Sequence, residues 1–236
     1  MGESYIAQNA ARIRTSIQAA AERGHRHPND VRIVAVTKTA GPDVLPLLLE
    51  EGIQDAGENR WQVAREKFEH PKSTEFTWHF IGTLQTNKVK YIAPRFDWVH
   101  SVDSVELAEA LAKAAVKLNR NINLLLQVNV AEEPQKHGFA AAACLDAVRR
   151  IRELPGVTLR GLMTMAPIVQ RAEDTRWVFR ELRLLRDRIR GDLDLVDFDQ
   201  LSMGMSDDFP VAIEEGATMI RIGRSLVNPP EAAEEV

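Results

Sequence analysis

The chain has 236 residues, 44% hydrophobic and 27% charged, with a formal net charge of -4. This is ample material for an α/β core, and the interspersed signs exclude a nucleic-acid stripe or a polybasic membrane patch. The lone Cys144 among alanines excludes an internal disulfide and a thiolate metal cluster; with strand-length apolar runs and no leader-like start, a cytoplasmic protein without a membrane span is expected.

In chain order, helical spacing of Ile6, Ala10, Ile13 and Ile17 predicts an opening helix over 4–22, capped by Ser4 and ended by Gly24. A β-branched run over 31–37 predicts the first strand, terminated by Lys38 and the turn Thr39-Ala40-Gly41-Pro42. A leucine-rich helix from Val44 stops near Gly52. Residues 53–59 form a second strand whose polar end carries Glu58 and Asn59, and residues 60–69 are helical. Strand three is 77–81, with a polar exit through Gln85 and Asn87, then a short helix that stops at Pro94. Strand four, 98–102, leads into a helix over 104–118 capped by Ser104.

The most hydrophobic stretch, 122–130, is strand five. Its exit carries Lys136 and His137, and a helix follows to about Leu154. Strand six is 157–163, and a long helix spans about 171–190. Strand seven is 198–203, followed by Gly204-Met205-Ser206 and a helix over 207–215; strand eight is 217–222, closed by Gly223. Eight strands, each but the last followed by a helix, with one extra helix in front, predict a single (β/α)8 barrel. It is expected as one domain over 1–236 with the last ten residues a tail. A doubly wound sheet is the alternative, but no Gly-x-Gly-x-x-Gly follows the first strand.

A barrel gathers its chemistry at the strand exits. Lys38 there is either a solvated cap or a desolvated amine able to form a Schiff base with a carbonyl. Gly204-Met205-Ser206 and Arg221-Ile222-Gly223-Arg224-Ser225 occupy the exits of the last two strands, where such barrels hold phosphate. Ser206 offers a hydroxyl and Gly223 an open backbone. Lysine with a phosphate site fits pyridoxal 5′-phosphate (PLP) or the sugar-phosphate substrate of a Schiff-base aldolase. An inward Arg221 would keep a facing pyridine nitrogen unprotonated; otherwise it is a salt bridge at the rim.

These stretches, together with Gly57-Glu58-Asn59, Trp78-His79-Phe80-Ile81-Gly82, Lys136-His137-Gly138-Phe139, Gly161-Leu162-Met163-Thr164 and Leu201-Ser202-Met203, resemble the YggS/PROSC family of PLP homeostasis proteins from the opening helix to about Leu226. The resemblance implies a barrel like the N-terminal domain of alanine racemase. It implies that Lys38 carries PLP as a Schiff base, that Ser206 and the backbone at Gly223 and Arg224 hold the phosphate, and that Arg221 faces the pyridine nitrogen. Asn59, His79 and Met203 would lie near the ring. Thr83, Arg224 and the ending Val227-Asn228-Pro229-Pro230 depart from the usual pattern.

A racemase needs an acid/base on each face of the substrate carbon. The two tyrosines, Tyr5 and Tyr91, fall away from the predicted exits, and His79 or His137 is the remaining proposal for the second group. The expectation is therefore a monomeric, non-catalytic protein that buffers PLP or delivers it to apo-enzymes, with no metal, nucleic acid or membrane. A PLP-dependent racemase and a Schiff-base aldolase are the rival readings.

Overall fold

The computed structural model describes residues 4–133 and 135–229. Met1, Gly2, Glu3, Pro134 and the expected tail from Pro230 onward lie outside the described residues.

Eight parallel strands close into a barrel in sequence order, and the eighth pairs with the first. They are β1 (Arg32–Val36), β2 (Asp55–Glu58), β3 (Thr77–Phe80), β4 (Trp98–Val102), β5 (Ile122–Gln127), β6 (Val157–Met163), β7 (Gln200–Ser202) and β8 (Met219–Ile222). The helices are α1 (Tyr5–Arg23), α2 (Val44–Glu50), α3 (Trp61–Phe68), α4 (Val89–Ile92), α5 (Val105–Lys117), α6 (Cys144–Ile151), α7 (Arg176–Asp192), α8 (Phe209–Glu214) and α9 (Arg224–Val227). The expected barrel with an extra leading helix therefore forms.

Period-2 alternation divides each strand between two apolar environments, which is why the runs read as continuous. Outward residues such as Ala35, Val99, Leu124 and Ile220 join the main core beneath the helices. Val34, Trp98, Leu125, Met163 and Met219 form a second cluster, filling the lumen. The leading helix α1 lies outside the ring. Its Arg23 pairs with Glu214 at 2.6 Å, and Asn9 donates to the carbonyls of Leu226 and Asn228, both at 2.9 Å.

Three expectations change. Helix α9 follows β8, where no helix was expected, and it buries Leu226 and Val227, so the expected tail begins inside a packed element. Strand β5 ends at Gln127 because the chain folds back. Val128 makes one bridge to Phe139, and Asn129 donates to the Glu133 carbonyl at 2.8 Å. α8 starts two residues later than expected, with Pro210 in its first turn. In β6, Arg160 is an extra residue against β5. Gly161, at φ +154°, passes so close to the Gln200 backbone that no side chain fits.

Candidate functional site

The C-terminal ends of β7, β8 and β1 adjoin one another and carry most of the expected residues. Ser206 and Ser225 meet across the two exit loops, Ser225 donating to Ser206 Oγ at 2.8 Å. Gly204 makes this possible. At φ +89° it lies flat on α8, where a Cβ would come within 2.6 Å of Ala212 Cβ. Gly223 precedes α9, and the first intrahelical bonds return from Leu226 and Val227 to the Gly223 carbonyl. The amides of Arg224 and Ser225 thus belong to a first turn that has no helical acceptor. Lys38 follows on the neighbouring strand and is exposed, in a turn two residues past Val36.

Arg221 is not a rim salt bridge. It is 5% exposed, and its guanidinium donates to Ser202 Oγ at 2.7 Å and to the Thr164 carbonyl at 2.9 Å. Burial lowers its pKa to about 10, with the Asp208 carboxylate acting in the opposite sense, so it stays cationic at neutral pH. Asp208 is anchored by accepting from the Met205 amide at 2.6 Å, and burial pushes its carboxyl up.

Asn59 is half-buried at the exit of β2, and Gly82 presses against its backbone. His79 and Met203 do not join them. His79 is fully buried in the lumen, bonded through Nε2 to Asp55 at 2.8 Å and through Nδ1 to His100 at 2.8 Å, with its ring stacked on Trp98. Met203 is the outward neighbour of inward-facing Ser202 and packs in the main core under the helices. Strand alternation puts the two on opposite faces. His137 is largely exposed, 3.5 Å from Asp103, and Lys136 pairs with Glu133 at 2.5 Å. Tyr5 lies in α1, and Tyr91 stacks on Trp61 with 6.0 Å between ring centroids.

Two groups of functional interest escaped the sequence reading. One is a polar chain through the lumen that adds Asp55, His100 and Ser202 to His79 and Arg221. Its signal was present as polar residues inside apolar strands. The other lies behind Lys38. Lys67 of α3 pairs with Glu58 at 2.9 Å, the two side chains 2% and 0% exposed, and Thr37 donates to the same Glu58 oxygen at 2.5 Å. This buried triad ties the residue before Lys38 to β2 and α3. A lysine among the charges of an exposed-looking helix gave no such signal.

The family model for the alanine racemase N-terminal domain matches residues 8–229. Pyridoxal phosphate homeostasis proteins of Aquifex aeolicus and Pseudomonas aeruginosa are 41% and 38% identical, covering 93% and 94% of this chain and 96% and 95% of their own. The chain belongs to the pyridoxal phosphate homeostasis protein family. PipY of Synechococcus elongatus, solved with PLP bound, is 34% identical with a TM-score of 0.77, over 90% of this chain and 99% of its own. A Bifidobacterium adolescentis protein superposes with a TM-score of 0.88 at 32% identity, over 94% of both chains. Alanine racemase of Clostridium difficile, at 14% identity and a TM-score of 0.71, shares the fold over 96% of this chain and 58% of its own. Among the described residues no helix is long and apolar enough to cross a membrane.

Proposed function

We propose that this family member holds PLP at the mouth of its barrel and serves as a carrier or buffer of the cofactor, without turning over a substrate. The observation that supports this most is the buried Arg221 cation, held by Ser202 and Thr164 beside the exit that carries Gly223 and the Ser206–Ser225 pair. These residues fit the group. A guanidinium with two of its five N–H groups engaged in the protein can face a ring nitrogen. The hydroxyls and the first-turn amides of α9 suit a phosphate. Asn59 lines the same mouth from β2.

In this reading Lys38 would hold the cofactor covalently at Nζ. Bound PLP supplies an electron sink to amines joined to it, and a cationic partner at the ring nitrogen weakens that sink. Arg221 would do this by keeping the nitrogen unprotonated. Exposure of Lys38 suits loading and release, since little chain covers the amine. The positions of Tyr5 and Tyr91 outside the mouth supply no second acid/base opposite Lys38.

The test is a titration of the purified protein with PLP, followed by mixing with an apo-aminotransferase and, separately, with amino acids in deuterated water. The expected results are a stoichiometric visible band, transfer to the apo-enzyme, and no deuterium at the amino-acid α-carbon. Steady α-deuteration would make the protein an enzyme; absence of the band would remove PLP altogether.

A further inference from the structure

The lumen holds an unbroken chain of hydrogen bonds, one link of which joins strands that are not neighbours in the barrel. Asp55 of β2 meets His79 of β3 at 2.8 Å, and His79 meets His100 of β4 at 2.8 Å. His100 then reaches across the lumen to Ser202 of β7 at 2.9 Å, and Ser202 accepts from Arg221 of β8 at 2.7 Å. Its far end, Asp55, lies at the start of β2, where it lines a surface cleft of about 610 Å³ with Arg14, Gln18 and Arg32.

The Asp55 carboxylate, with both buried rings neutral, fixes the direction of every bond. An ionised carboxylate only accepts, and a guanidinium only donates. With Arg221 donating to it, Ser202 has one proton left to give, and His100 Nδ1 takes it. His100 then carries its proton on Nε2 and donates to His79 Nδ1. His79 carries its own on Nε2 and donates to Asp55. Both neutral rings are then in the same tautomer, each nitrogen satisfied. The opposite polarity would aim an unprotonated His79 nitrogen at the Asp55 carboxylate and leave the Ser202 hydrogen unused. Burial favours the neutral form of both rings.

We propose that Asp55, His79, His100 and Ser202 are positioning residues for Arg221, a one-directional relay by which the carboxylate at the N-terminal end of the barrel fixes the guanidinium at the mouth. It rests on the reading that Arg221 faces the PLP ring. Each donor in such a chain strengthens the next acceptor, so the Ser202 oxygen grips Arg221 more firmly for having given its proton to His100.

The test is a long-range proton–nitrogen correlation spectrum of the histidine side chains, in cofactor-free protein at neutral pH, with PLP affinity measured alongside. The wild type should show His79 and His100 both protonated at Nε2 only. Asp55→Ala should give His100 a mixture of tautomers and weaken PLP by about tenfold, the value of one charge-assisted hydrogen bond. Asp55→Asn, whose Oδ1 still accepts from His79, should restore both. Ser202→Ala should shift the His100 signals and leave the His79 tautomer in place.

A wild-type His100 protonated at Nδ1 would overturn the relay, as would an Asp55→Ala protein with His100 signals and PLP affinity unchanged. If Asp55→Ala does not fold, the wild-type spectrum and Ser202→Ala still decide. Failure of the wild type to bind PLP would refute the cofactor reading, while the tautomers would still report on the relay.

Discussion

Acidification from pH 7.5 to 5.5 should destabilise the cofactor-free protein, by at most about 2.7 kcal/mol from two buried rings. His79 and His100 are fully buried, and burial depresses both imidazoles from the ordinary value of 6.5, His100 far below it. In the unfolded chain both would take up protons near 6.5; in the folded barrel they resist. The unfolded state therefore binds more protons below that value, and unfolding becomes easier as pH falls. The stabilisation is complete above pH 6.5 and is lost at about 1.4 kcal/mol per pH unit for each ring, down to its folded pKa. Asp208, pushed up by burial, has the opposite sign and partly offsets the loss where it titrates. Urea unfolding at pH 7.5, 6.5 and 5.5, with the urea dependence held as a check on two-state behaviour, reads the effect. Stability constant to within about 0.5 kcal/mol across the series would refute the neutral lumen.

Lys67→Met should destabilise by about 3–5 kcal/mol in urea unfolding, because it leaves Glu58 buried without its cation. Adding Glu58→Leu should recover much of that loss, and an additive double variant would contradict the pairing. Gly204→Ala should cost about 2–4 kcal/mol, since it combines φ +89° with a Cβ pressed on Ala212. A thermal midpoint equal to wild type would show that the loop can move aside. The double variant Ser206→Ala/Ser225→Ala should weaken PLP about tenfold in equilibrium titration and leave pyridoxal, which has no phosphate, unaffected. Equal weakening of both ligands would place the phosphate elsewhere.

The barrel was legible because its strands are short apolar runs separated by turn residues, a pattern that survives errors at the ends. Those errors have local causes. Residues 128–130 are apolar enough to read as strand, yet Asn129 turns the chain through side-chain bonds to the loop. Helix α9 is only Arg224–Val227, too short to show a period, and Asn228 and Pro229 follow it. At the site, Lys38, Ser206, Arg221 and Gly223 were visible as chemistry at strand ends. Alternation also marks His79, His100, Ser202 and Arg221 as inward-facing. What a linear pattern does not carry is which inward residue meets which across the lumen. His100 and Ser202 are 102 positions apart on strands that do not pair, and only barrel closure brings them to 2.9 Å. The outward face of Met203 was hidden for a related reason, since membership in a motif says nothing about which face of the sheet a residue takes.

Whether Lys38 holds the cofactor is read by borohydride reduction of the PLP-loaded protein followed by peptide mapping. The expected product is one dominant phosphopyridoxyl adduct on the peptide containing Lys38. An adduct spread over surface lysines, or concentrated on Lys136 while Lys38 stays unmodified, would contradict it.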